Sequence, residues 1–285
     1  MKVLKATEIE IQVEGGCPDD FEFSHSSVLL QDGDKFYLAR TLQRTTTASN
    51  VDTSRLEIED PPIPVEGYRP LFSKELTIAP SLMAEECWKK VPRLSSYNSR
   101  APTRLGEVML QEARIGEMLK DNPHPNVATY HGCIVREGRI ASLCFTRYHQ
   151  TLVYRIYHDP RRLDTQSCLQ EIKKGIEHLH SLGIVHNDIN PSNVMLTVDD
   201  TAVIIDFNSC RKKGEEGYMA GTYMWTDASY DENRADFQND MCGLRKIREW
   251  LHNPAPFHWN GLGDRLRHKQ RGHHGQLRRD CFICR

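Results

Sequence analysis

Apolar residues along this chain follow two rhythms, and the changes between them mark out its elements. Residues 1–41 alternate with period two, and Ile9, Ile11 and Val13 fall on one face, which predicts strands. Ser27 to Leu30 and Lys35 to Ala39 flank Gln31-Asp32-Gly33-Asp34, the pattern of a hairpin, while Gly15-Gly16 reads as an ordinary turn. Residues 42–69 are rich in Thr, Ser and Asp, with Pro61, Pro62 and Pro64 close together, and read as a linker or long loop. Glu86 to Val91 reads as a strand. Gly106 to Lys120 switches to helical spacing, with Val108, Met109, Ala113 and Met118 as its apolar stripe. A second hairpin is predicted from Ala128 to Val135 and Ile140 to Phe145 around Arg136-Glu137-Gly138. Cys168, Leu169, Ile172, Ile176 and Leu179 predict another helix, with Gly183 as its stop signal. Val194 to Leu196 and Ala202 to Ile205 bracket Asp199-Asp200 as a short hairpin, and Met241, Leu244, Ile247 and Leu251 continue a last helical face. From 253 onward no amphipathic period is visible.

Composition narrows the picture. At 285 residues the chain can form one two-lobed domain or two small ones. A formal net charge of -2 gives no global electrostatic case for nucleic acid. No apolar run approaches a membrane span. The start turns acidic before a signal-peptide core develops. Cys87, Cys133, Cys144, Cys168 and Cys242 are scattered singly through apolar segments, which suggests reduced cysteines in an intracellular, cytoplasmic or nuclear protein. The tail carries seven Lys or Arg against two Asp. Its His273, His274, Cys281 and Cys284 suggest either a zinc site or a basic, disordered tail, and the second reading is preferred.

The stretch with the most chemistry is His186 to Asn208, HNDINPSNVMLTVDDTAVIIDFN. Asp188 and Asn193 are five apart on an expected loop, and Asp206 follows thirteen later, after the run Ala202 to Ile205. Each could be a local turn residue: Asp188 an Asx turn, Asn193 a loop cap, Asp206 a strand end. Together they offer a carboxylate to orient a hydroxyl and hard oxygen donors for a divalent cation, which phosphoryl transfer requires.

This stretch resembles the catalytic core of the eukaryotic protein kinases, H-R-D-L-K-P-E-N followed by D-F-G. Its version, His186 to Asn193 and then Ile205-Asp206-Phe207-Asn208-Ser209-Cys210, is most similar to a divergent group common in fungi with HNDINPSN and IDFxSC. The resemblance spans about residues 80–252. It implies an α+β, two-lobed protein kinase-like fold with a β-rich N-lobe and a truncated helical C-lobe. The expected divisions are an N-terminal β-rich extension and linker at 1–69, an N-lobe at 70–148, a C-lobe at 149–252 ending with the helix of Asp240, and a tail at 253–285. Lys90, with Lys89 as runner-up, resembles the lysine that pairs the ATP phosphates. Glu112, 22 residues on, resembles the glutamate that orients it. Asn122 to Val127 is similar to the H-P-N-I turn. Phe145 resembles the gatekeeper, and Thr146, Arg147 and Tyr148 the hinge whose backbone binds adenine. Gly221-Thr222-Tyr223-Met224-Trp225 resembles the substrate-loop segment, and Asp240 the buried aspartate bracing the catalytic loop. The resemblance implies ATP and magnesium as cofactors, Asp188 as base, and Asn193 and Asp206 as metal ligands. His186 and Phe207 are expected to pack rather than react.

The departures carry information. No G-x-G-x-x-G is present. Asn187 replaces the arginine that pairs with a phosphorylated loop, so no loop phosphorylation is expected to be needed. Asn190 replaces the lysine beside the γ-phosphate and can donate a hydrogen bond without charge. Asn208 replaces the D-F-G glycine, with tolerance for left-handed dihedrals as the expected reason. Gly116 is expected to leave a gap in the column through His186 and Phe207, Glu117 to be solvated, and Ser229 to lose an ion pair to a later helix. Two function classes follow: ATP- and magnesium-dependent phosphoryl transfer to protein Ser or Thr, or a pseudokinase that binds nucleotide or scaffolds. A small-molecule kinase is a third reading. Expected partners are ATP, a protein substrate, and a protein covering the truncated C-lobe, with neither membrane nor nucleic acid.

Overall fold

The computed structural model describes residues 1–13, 21–59, 61–81, 86–216, 221–254 and 266–268. Gly15-Gly16 and the four tail residues weighed as a zinc site lie outside them. The chain divides into two compact units, the first built from Met1–Arg69 and Pro92–Glu107, the second from Pro70–Val91 and Val108–Phe257. Of the tail, Leu266–His268 is described as a strand parallel to the chain's first strand.

The first unit is an antiparallel sheet of β1 (Lys2–Gln12), β2 (Phe21–Asp32), β3 (Lys35–Thr41) and the short β4 (Glu57–Ile58). The β2–β3 turn falls where Gly33 allows a φ of 56°. Alternation fails in β1. The pairing register with β2 shifts between Ile9 and Glu10, Thr7 to Glu10 are all buried, and Val13 is exposed. A bulge moves later residues out of phase, so Ile9, Ile11 and Val13 do not share one environment. Both faces of the sheet are covered. Ala6, Val28, Leu30 and Ala39 meet Val51 and Leu56, while Leu29 and Leu38 meet Ile63, Tyr68 and Leu105. The stretch 42–69 is therefore no slack linker. Val51, Leu56, Ile63 and Tyr68 pack on the sheet, and the stretch ends in a four-residue helix, α1 (Val65–Tyr68).

The second unit holds a three-stranded sheet in the order β5 (Trp88–Lys90), β7 (Arg139–Phe145), β6 (Tyr130–Arg136). Cys87 and Cys144 form a disulfide across it. That corrects the expectation of reduced cysteines at these two positions, while Cys133, Cys168, Cys210 and Cys242 are free and buried. Helix α2 (Arg104–Asp121) buries Met109, Glu112, Ala113, Gly116 and Leu119, spacings that place a carboxylate on its apolar face. Below it come β8 (Gln150–Thr151), α3 (Leu152–His158), α4 (Thr165–Ser181), β9 (Ile184–Val185), β10 (Val194–Leu196), β11 (Ala202–Ile204), β12 (Arg211–Lys212) and α5 (Phe237–His252). Asp164 caps α4 by accepting from the Gln166 and Ser167 N–H groups, and Gly183, at φ 73°, follows its C-terminus. Cys168, Ile172, Ile176 and Leu179 are buried on α4, each aliphatic one contributing about 1.5–3 kcal/mol. Leu244, Ile247, Trp250 and Leu251 are buried on α5, with the Trp250 ring edge-on to Trp225 and Tyr157.

Candidate active site

The site is assembled from a strand, a helix and two loops of the second unit. Antiparallel pairing of β5 with β7 sets Lys90 opposite Leu143. From there Lys90 Nζ reaches Glu112 Oε1 on α2 at 2.5 Å and also donates to Asp206 Oδ1. Glu112 Oε1 additionally accepts the Phe207 N–H at 3.0 Å. Lysine, glutamate and aspartate, separated by over a hundred residues, thus meet at one ammonium. Lys90 rather than Lys89 makes these contacts. Burial pushes the Glu112 carboxyl up, and the Lys90 ammonium pulls it back.

Asp206 holds a left-handed conformation (φ 67°, ψ 81°) between β11 and the turn Phe207–Ser209. An aspartate there is uncommon and is strained relative to a helical or extended residue. Asn208 lies within that turn without a positive φ, so the left-handed residue is Asp206 and not, as expected, Asn208. Burial fixes the turn from below: Phe207 is fully enclosed, edge-on to His186 with centroids 5.9 Å apart.

The loop after β9 is held by hydrogen bonds at nearly every residue. Asp240 on α5 accepts from the His186 N–H (2.9 Å), the Asn187 N–H (2.8 Å) and His180 Nε2 (2.8 Å). Asn187, at φ 63° and buried, donates Nδ2 to the Ser209 and Val185 carbonyls and accepts from Asn239 Nδ2 at 3.0 Å. Its carbonyl accepts the Tyr230 hydroxyl at 2.6 Å. These side-chain and carbonyl partners are all neutral, and the one charged partner, Asp240, meets only the Asn187 backbone N–H. Asn190 caps the turn Pro191–Asn193, accepting from the Ser192 and Asn193 N–H groups, and its Nδ2 donates to Asp188 Oδ1 and Thr222 Oγ1. Its amide therefore braces the loop instead of pointing outward as a phosphate donor.

Asp188 is buried, and its Oδ1 accepts the Thr222 hydroxyl at 2.7 Å and the Thr222 N–H at 3.1 Å. Burial pushes its carboxyl up to about 6, against the pull of the Thr222 hydroxyl. Asn193 Nδ2 donates to Asp188 Oδ2 (2.9 Å) and to the Asp188 carbonyl (2.8 Å). That leaves Asn193 Oδ1 buried with no hydrogen-bond partner, the one such side-chain atom among the described residues. A buried unpaired amide oxygen is unfavourable by about 1–3 kcal/mol unless something else meets it. Beside it stands Asp188, whose carboxyl feels the charge of Asp206, and around the Lys90 ammonium two carboxylates meet one cation. Hard oxygen donors in this arrangement fit magnesium.

Glu117 and Gly116 stand differently from expectation, and the hinge segment and the surroundings of Ser229 have contacts of their own. Thr146 donates its N–H to the Thr129 carbonyl (2.9 Å), and Tyr148 accepts the Thr129 N–H on its hydroxyl (3.1 Å), so the hinge segment is tied back to the residue before β6. Glu117 is not solvated: its carboxylate accepts the Thr77 N–H and hydroxyl, both at 2.7 Å. Ser229 carries no ion pair, yet Asp227 two residues earlier pairs with Arg245 on α5. Gly116 leaves no gap either, because the Tyr130 ring lies against it and continues through Phe145 and Phe207 to His186. Thr222 and Tyr130 were missed as site residues. A threonine after glycine in the substrate-loop segment was the available signal for the first.

The protein kinase domain family model matches residues 86–228, half of the chain. Serine/threonine-protein kinase Tao of Drosophila melanogaster is 27% identical over 178 residues, 59% of this chain and 17% of its own length. Serine/threonine-protein kinase TAO3 of Xenopus laevis is 23% identical over 177 residues, 59% of this chain and 19% of its own. MAP kinase kinase kinase SSK2 of Saccharomyces cerevisiae is 24% identical over 131 residues, 45% of this chain and 8% of its own. The chain thus spans less than a fifth of the length of these curated relatives.

Proposed function

Because the chain belongs to the protein kinase domain family, we propose that it transfers phosphate from ATP to Ser or Thr hydroxyls of proteins in a magnesium-dependent reaction. The observation that carries this reading is Asn193 Oδ1, buried and unpaired beside Asp188, whose carboxyl feels the charge of the Asp206 that Lys90 holds. Asn193 and Asp206 would hold magnesium, which when bound offsets the charge of the phosphates. Lys90, oriented by Glu112, supports the phosphates. The backbone from Thr146 to Tyr148 meets adenine. Asp188 orients the acceptor hydroxyl and takes its proton. Asn190 and Thr222 position Asp188 through the bonds they make to its Oδ1. The HNDINPSN and IDFxSC stretches support membership of the divergent group common in fungi.

A second reading, a pseudokinase that binds nucleotide with little transfer, is favoured by the commitment of the Asn190 amide to the loop and by the missing glycine loop. Transfer of labelled phosphate from ATP to a protein mixture separates the two. Wild type labels substrate and Asp188→Ala does not; equal labelling by both ends the enzyme reading.

A further inference from the structure

The helix that carries Glu112 approaches the sheet at a glycine. Gly116 lies one turn after Glu112, on the same buried face of α2. A Cβ there would meet three atoms of the Tyr130 ring at 2.7, 2.8 and 2.9 Å, closer than carbon atoms approach without displacement. The ring is held by its neighbours. Tyr130 is 2% exposed, its hydroxyl lies 3.2 Å from Cys133 Sγ, and its ring sits 5.3 Å from that of Phe145. A side chain at 116 must therefore displace the helix, the ring or both, and the ring is the more tightly held of the two. The Lys90–Glu112 contact, at 2.5 Å, does not survive such a shift of about an ångström unchanged.

We propose that Gly116 and Tyr130 are a size-matched pair of positioning residues that set the distance of α2 from β6 and thereby bring Glu112 to Lys90. The large member of the pair sits on the strand and the small one on the helix, so the buried volume is filled without a side chain from α2. The proposal rests on the function reading only for its effect on rate, because the Lys90–Glu112 contact can be followed without turnover.

The test is the rate of acetylation of Lys90 by acetic anhydride, read by peptide mass spectrometry, together with thermal melting and phosphate transfer. An ion-paired, half-buried ammonium reacts slowly. In Gly116→Leu, Lys90 acetylation rises about tenfold or more, as loss of a charge-assisted contact implies. The double variant Gly116→Leu/Tyr130→Leu keeps roughly the same number of buried heavy atoms and returns Lys90 to wild-type protection. Transfer falls in the single variant and recovers in the double. Unchanged acetylation in Gly116→Leu, or no recovery in the double variant, overturns the proposal. If the single variant does not fold, the double decides: folded with Lys90 protected supports the pair, and unfolded or unprotected refutes it. A wild type that transfers no phosphate sinks the function reading and leaves the acetylation result standing.

Discussion

Two sets of buried polar residues lie in this chain, one in each unit, and they are satisfied in different ways. In the N-terminal sheet, Ser26 donates to the Gln43 carbonyl and accepts the Thr45 N–H, and Glu8 reaches out to the exposed Arg44. Each group there has a nearby partner of matching character, and neutral bonds dominate. In the second unit, Glu112 and Asp206 converge on one ammonium, Asp188 is held by neutral donors, and the Asn193 amide oxygen has no partner. Burial is common to both sets, and only the second leaves charge and an acceptor unmatched. Structural networks close on themselves, whereas a site that takes a charged ligand stays open until it arrives.

Four experiments probe this contrast. The largest effect is expected from Asp188→Ala, which lowers phosphate transfer about 10²–10⁴-fold with nucleotide binding retained. A loss confined to binding would assign Asp188 to the structural set. Next, Lys90→Met leaves two buried carboxylates without their cation and lowers unfolding free energy by about 3–5 kcal/mol in denaturant titration. The matching change in the sheet, Arg44→Met, removes an exposed partner and shifts stability by less than about 1 kcal/mol. Equal shifts would erase the distinction.

The third concerns Asn187. It ties the turn after Asp206 to Tyr230 and Asn239 through neutral bonds, which predicts transfer without a phosphorylated loop. Phosphatase-treated and untreated protein should transfer phosphate at the same rate, and a drop on treatment would contradict this. The smallest effect is at His124, whose ring stacks on His178 with centroids 4.7 Å apart. Burial, then His178 and Lys174, hold its pKa below the ordinary 6.5. The unfolded chain then binds more protons below that pH, so acid lowers stability. His124→Gln should flatten the fall in melting temperature below about pH 6.5, and an unchanged slope would clear His124.

The catalytic loop was legible in the sequence because its geometry is local. Asn190 caps its own turn, Asn193 reaches back five residues, and one hairpin delivers Asp206, so interval alone carries the arrangement. Lys90 and Glu112 were legible only through the resemblance to the kinase pattern. What could not be read depends on contacts between distant segments. Thr77 meets Glu117 across forty residues, Cys87 meets Cys144 across 57, and the space at Gly116 is filled by a tyrosine on another element. The bulge in β1 was hidden for a related reason: alternation continues in the sequence while the pairing slips by one residue. Residues 42–69 looked slack because their apolar members are isolated, yet Val51 and Leu56 pack on one face of the sheet and Ile63 and Tyr68 on the other.

On the proposed function, Asn193 and Asp206 together hold a metal-bound nucleotide. Calorimetric titration of ATP into wild type and Asn193→Leu, with magnesium and with chelator, measures it. The account predicts that magnesium strengthens binding to wild type by about tenfold or more and leaves Asn193→Leu nearly unaffected. Equal magnesium dependence in both proteins, or none in wild type, would contradict it.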